Sequence, residues 1–97
     1  MILRFKNNVF FEVTSVNIGY KQENNECLME AVCLDSYTIE DIIKILNDAD
    51  FSEISIMDTV EDTIEKHQGY SLRSVNKMYN DGGIKLAVFF SKENFLD

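Results

Sequence analysis

His67 is the only histidine in the chain, and Glu65 stands two residues before it. On an extended strand the two would share a face, a spacing that suits an acid–base pair or half of a metal site. Two ligands do not hold a metal, and no further His, Cys or Asp cluster is spaced to complete the set. The expected reading is a solvent-facing strand histidine. Cys27 and Cys33 lie in "CLMEAVC". On a strand their Cα atoms would stand roughly 20 Å apart, well beyond the ~7 Å limit of a disulfide. Both are expected as free, small, buried apolar residues in a reducing compartment. "NDADFSEISIMD" starts like a calcium loop, with Asp48, Asp50 and Ser52 at alternate positions. It fails at Glu53, where the loop needs glycine, and at Thr59, where it needs a bidentate glutamate. No G-x-S-x-G elbow activates a serine, and the glycines form no phosphate cradle. The expectation is a protein that is not an enzyme, with no catalytic residue, no metal and no cofactor.

The charge is uneven. Seventeen acidic and nine basic residues give a net −8. Residues 1–22 carry a net +2, residues 23–65 a net −12, with thirteen acids against Lys44 alone, and residues 66–92 a net +4. One reading is ordinary: acidic surface keeps a small domain soluble, and strands of opposite sign pair across a sheet. The functional reading is a negative field offered to a protein partner with a basic surface. Its expected partner-binding residues are Glu53, Asp58, Glu61, Asp62 and Glu65 on a hairpin, with Glu40, Asp41 and Asp48 on a helix. Such a field repels phosphate, so direct nucleic-acid binding is not expected.

Hydrophobic periodicity shows what must position these groups. A short opening strand, Ile2 to Phe5, precedes the "KNN" turn. "FFEVTSVNIGY" alternates as a long strand, with Phe10, Glu12, Thr14, Val16, Ile18 and Tyr20 on one side and Phe11 and Val13 on the other. "KQENNE" turns, and "CLMEAVCLD" returns. Ile39, Ile42, Ile43 and Leu46 then mark a helix over about Thr38 to Asn47, capped by Thr38 or Ser36, with Glu40 and Asp41 suited to its dipole. "SEISIMD" is a strand with Ile54 and Ile56 inward, "TVED" a turn, and "TIEKHQGY" the returning strand. "NDGG" ahead of "IKLAVFFSK" signals a hairpin whose last strand is apolar on both faces. The partner strand is read as Tyr70 to Tyr79 with a bulge near Ser74; a short helix over the same residues, ending before Gly82, is the alternative. "ENFLD" is expected as a frayed tail.

Ninety-seven residues leave room for one core. The expected fold is a single α+β domain over residues 1–97, a mostly antiparallel sheet with one main helix in the order β-β-β-α-β-β-β-β, its last strands forming a meander. Arg4, Lys6 and two asparagines interrupt the opening apolar stretch, and no apolar run approaches the ~20 residues of a membrane span. No leader and no membrane partner are expected, and the expected location is the cytoplasm.

Residues 38–90 carry a helix of the form I-x-x-I-I-x-x-L, a strand F-x-x-I-x-I-x-D, a G-Y-x-L entry and a closing hairpin. In this order the chain resembles small phage and prophage proteins without assigned chemistry. The resemblance implies a setting in which small acidic non-enzymes act by binding in the host cytoplasm. They serve there as inhibitors of host defence complexes that hold nucleic acid, or as accessories of virion assembly. For the assembly role, self-association through apolar sheet surface is expected at the Phe10/Phe11 and Phe89/Phe90 pairs.

Overall fold

Alternating apolar residues build three strands before the first helical stretch and four after it. The computed structural model describes residues 1–21, 23, 25–58, 62–80 and 82–93. Its elements are β1 (Ile2–Phe5), β2 (Phe10–Lys21), β3 (Glu26–Cys33), α1 (Ile39–Asp48), β4 (Glu53–Met57), β5 (Thr63–Gln68), β6 (Ser71–Asn80) and β7 (Gly83–Glu93). This is the expected α+β order. Residues 70–79 follow the strand reading, with Arg73 the extra residue between Leu72↔Phe90 and Ser74↔Phe89. Residues 59–61 of the expected "TVED" turn and residues 94–97 of the expected tail lie outside the described residues, while Glu93, expected in that tail, ends β7.

Every neighbouring pair is antiparallel, in the order β5-β4-β1-β2-β3-β7-β6. The expected meander is therefore interrupted: β4–β5 and β6–β7 are hairpins, but β5 and β6 form opposite edges of the sheet. Only Gly69 and Tyr70 connect them. Three Cα–Cα steps reach about 11 Å, whereas a flat sheet would hold these edges about 29 Å apart. The sheet must roll until its edges meet at the link. Gly69 makes the turn at φ 84°, a conformation that a side chain strains.

A bulge in β2 lets the sheet roll. Its first residues pair with β1 and the rest with β3, and Thr14 is the extra residue between Val13↔Cys33 and Ser15↔Val32. Such a bulge bends the strand and strengthens its twist. It also shifts the alternation. Val13, Val16, Ile18 and Tyr20 pair with Cys33, Ala31, Met29 and Cys27, all on one face of β3. The strict alternation expected for β2, with Phe11 and Val13 opposite Val16, breaks at Thr14.

The inner face of the roll is the core. Leu3, Phe5 and Phe11 meet Met29, Val88 and Phe90 from the other half, with Ile42 and Leu46 of α1 inserted among them. The Phe5 and Phe90 rings are 6.0 Å apart although β1 and β7 are three strands apart in the sheet. Phe51 bridges them at 5.3 and 5.7 Å. Phe11 and Phe90 are buried, while Phe10 is exposed and Phe89 half-buried. Each expected phenylalanine pair is thus split across the sheet, as strand alternation requires.

Thr38 caps α1. Its Oγ1 accepts from the Asp41 N–H at 3.2 Å, and its own N–H donates to Asp41 Oδ2 at 3.0 Å. Ile42 and Leu46 are buried; Ile43, expected in the apolar stripe, is exposed, and Ile45 packs against the core instead. At the other end, Asn7 Nδ2 donates to the Asp48 carbonyl at 2.6 Å, and its Oδ1 accepts from the Asp50 N–H at 3.0 Å. The β1–β2 turn thereby satisfies a helix carbonyl that has no intrahelical donor. Thr38→Ala is expected to cost about 1 kcal/mol in urea or thermal unfolding. The bonds from Thr38, the backbone N–H first, hold the Asp41 carboxyl below its usual pKa. Because the folded value is depressed, this contribution is present above the ordinary aspartate pKa and is lost as pH falls through the lowered one. The protection of amides in the first turn of α1, relative to their intrinsic exchange rate at each pH, should therefore fall below about pH 4, and Asp41→Asn should abolish that dependence.

Candidate functional site

The acids expected to bind a partner fall in two places. Glu40 and Asp41 lie in the first turn of α1 and Asp48 is its last residue, all exposed. Asp41 is engaged in the cap. The others belong to the β4–β5 hairpin. Glu53 precedes the inward-facing Ile54, whereas Glu65 pairs with the inward-facing Ile56, so the two glutamates lie on opposite faces. Asp58 and Asp62 are exposed at the hairpin end, where the Asp58 N–H donates to the Asp62 carbonyl at 3.0 Å. Glu61 lies outside the described residues. The hairpin acids therefore share neither one face nor one end: Glu53 stands at the open end of the hairpin in register with Gln68, and Asp58 and Asp62 at its closed end.

Two of these carboxylates meet basic side chains of their own strand pair. Glu53 Oε1 lies 3.8 Å from Lys66 Nζ, and Glu65 Oε2 lies 2.9 Å from His67 Nε2. A third pair, Arg73 with Glu26, joins the β6 bulge to β3. Partly exposed pairs of this kind contribute about 1 kcal/mol or less each.

His67 corrects its sequence reading. In register with buried Ile54, it turns inward, and its side chain is only 21% exposed. Its ring meets Tyr70 edge-on, with centroids 5.9 Å apart. Tyr70 is buried and carries Lys92 Nζ 4.8 Å from its ring centroid. Burial first, and then the Cys27 thiol, push the Tyr70 hydroxyl above its ordinary pKa. Both cysteines are free, and burial raises the Cys33 thiol to about 11, which keeps it protonated and unreactive near neutrality.

Beside His67 the roll is open. β1 is a short spacer whose register with β2 ends at Ile2↔Glu12, with the Val13 N–H donating to the Met1 carbonyl at 2.9 Å. Past Met1, β2 and the β4–β5 hairpin part. They leave a cleft of about 500 Å³ between Val16 and Ile18 on one side and Ile56, Ile64, Glu65 and His67 on the other. A second bulge shapes it. Ile56 pairs with Glu65 and Met57 with Thr63, so Ile64 is the extra residue, and both Ile64 and Glu65 line the cleft. Met1, Ile18 and Ile64 are each 44–54% exposed there. Sequence reading missed this cleft because it depends on both bulges. One local signal was present: the apolar positions of β2 switch from odd (Phe11, Val13) to even (Val16, Ile18).

The arrangement is chemically sparse. One carboxylate–imidazole pair faces an apolar cleft, and among the described residues no three His, Cys, Asp or Glu side chains gather as a metal-binding group. No helix of the described residues is long and apolar enough to cross a membrane. Comparison with known proteins gives no match to a family model, to a curated protein or to a solved structure.

Proposed function

We propose that the protein is a non-catalytic binding module that recognises a protein with a basic surface through α1 and the end of the β4–β5 hairpin. Charge carries this reading. Even with every one of the nine bases paired internally, a net −8 remains for the surface of a 97-residue chain. Fields of that kind raise association rates with cationic partners and reject anionic ones. Because Glu53 and Glu65 face opposite ways, the feature offered is the hairpin end with Asp58 and Asp62, not one face alone. In the phage setting that the resemblance implies, the sharpest form is an inhibitor of a host defence complex. Its carboxylates would then occupy a groove that otherwise holds a phosphate backbone.

The test is capture from host lysate at low and high salt, comparing the wild type with the triple reversal Asp58→Lys, Asp62→Lys, Glu65→Lys. Partners should be retained by the wild type at low salt and lost on raising the salt or reversing the charges. Capture indifferent to both changes removes the reading.

A different observation favours a second role, an assembly component that binds copies of itself or a virion protein. Tyr79 and Ile84 pair across the β6–β7 hairpin at 74% and 57% exposure, next to Met78 at 37%. Sedimentation at micromolar concentration separates the two: a stable homo-oligomer supports assembly, and a monomer supports the inhibitor.

A further inference from the structure

The β4–β5 hairpin presents more than charge. β5 is an edge of the sheet, so one side of its backbone has no neighbouring strand. All of Thr63–Lys66 is exposed. The same strand forms a wall of the apolar cleft through Ile64, Glu65 and His67. An unpaired edge beside an apolar cleft is the arrangement by which sheets accept an extended peptide: main-chain hydrogen bonds hold it, and a pocket selects alternate side chains. Residues directly opposite one another on paired strands share a face. A strand laid along β5 therefore sends the side chains opposite Glu65 and His67 toward the cleft.

Charge selects the occupant. Residues 53–68 hold Glu53, Asp58, Glu61, Asp62 and Glu65 against Lys66, so an acidic strand is repelled and a basic one attracted. The opposite edge behaves differently. β6 carries Arg73 and Lys77 with no acid, so a basic strand is repelled there.

We propose that β5 and the cleft form a docking site for an extended, basic segment of a partner protein, which adds as a strand to β5 and seats one aliphatic or aromatic side chain between Ile18 and Ile64. The segment's lysines or arginines alternate with that side chain and so fall on the other face of the added strand, the face of Glu53, with Asp58 at the hairpin end. The site rests on the acidic-recognition reading and deepens it, because it names the anchor that charge alone lacks: a central apolar contact inside a charged rim is where interface energy concentrates.

The probe is a blocked peptide of alternating sequence, Lys-Val-Lys-Leu-Lys-Val-Lys, titrated into isotope-labelled full-length protein at low salt. Two comparators are the same peptide with serine in place of every apolar residue and a version N-methylated at alternate amides. The apolar peptide should shift the amides of Thr63–Lys66 and the methyls of Ile18, Ile56 and Ile64. Both comparators should bind at least about tenfold more weakly. Ile64→Asp, at a half-exposed position that leaves the core intact, should weaken the apolar peptide by a similar factor while preserving the dispersed spectrum of the fold. Equal binding of the serine peptide, with shifts confined to α1 and the hairpin end, overturns the docking site and leaves acidic recognition standing. Shifts along β6, or unchanged affinity in Ile64→Asp, likewise overturn it. No binding of any lysine peptide at low salt removes both readings.

Discussion

Phe90→Ala destabilises the protein by about 3–5 kcal/mol, while Phe89→Ala costs a fraction of that. The two rings are adjacent in β7 and differ only in direction. Phe90 is fully buried, with Phe5 6.0 Å and Phe51 5.7 Å away between ring centroids. It also sits in the cross-strand row with Met29 and Leu72. Phe89 faces the other side, in register with Glu30 and Ser74, and is half-buried. Removing the Phe90 ring forfeits its transfer free energy and leaves a cavity where the two halves of the roll meet, and a rolled sheet closes over such a void only by shifting its register. A domain of this size holds about 5–15 kcal/mol in total, so the loss is about a fifth of its stability or more. Urea melts followed by far-ultraviolet circular dichroism measure it: the midpoint should fall steeply for Phe90→Ala and slightly for Phe89→Ala, with similar slopes. Equal losses at the two positions would mean that β7 does not face the interior as its register states.

The same pair of residues shows what the sequence could and could not disclose. "IKLAVFF" is apolar at consecutive positions, and alternation alone does not say which phenylalanine is inside. The helix was legible because its signals are local: Thr38 at the cap, acids in the first turn, and apolar residues three and four apart. The hairpins were legible for the same reason, and even the β6 bulge was expected one residue from where it occurs. Sheet order was not. β1 pairs with β4 and β3 with β7 across stretches that include the helix or a whole hairpin, and no adjacent residues encode such a pairing. The roll follows from that order together with the two-residue link, so it was equally hidden. The acids were legible as composition, but their faces depend on register. Glu53 and Glu65 separate because one pairs with Gln68 and the other with Ile56. The cleft needed Thr14 and Ile64 to be recognised as extra residues, and a β-branched or aliphatic bulge residue leaves little mark when its neighbours are also strand formers.

Tyr70→Ala is the second large expected effect, and it reads the roll itself. Tyr70 follows Gly69 in the only link between the two edge strands and is 4% exposed, with His67 against its ring and Lys92 over it. Lys92 Nζ also donates to the Gln68 carbonyl at 3.4 Å, which draws the end of β5 toward β7. Losing a buried aromatic ring costs about 3–5 kcal/mol, and here the loss falls on the place where the edges converge. Tyr70→Phe keeps the ring and should cost about 1 kcal/mol or less. The decisive measurement is amide exchange of the residues in each strand. β5 is paired on one side only, so without Tyr70 it should open as a unit, losing protection at its bonded amides while β3 and β7 keep theirs. A uniform fall across all strands would show instead that Tyr70 is an ordinary core residue. Because Glu65 and His67 belong to β5, the same opening should abolish binding of the apolar lysine peptide at temperatures where β3 and β7 remain folded, which ties the recognition surface to the closure of the roll.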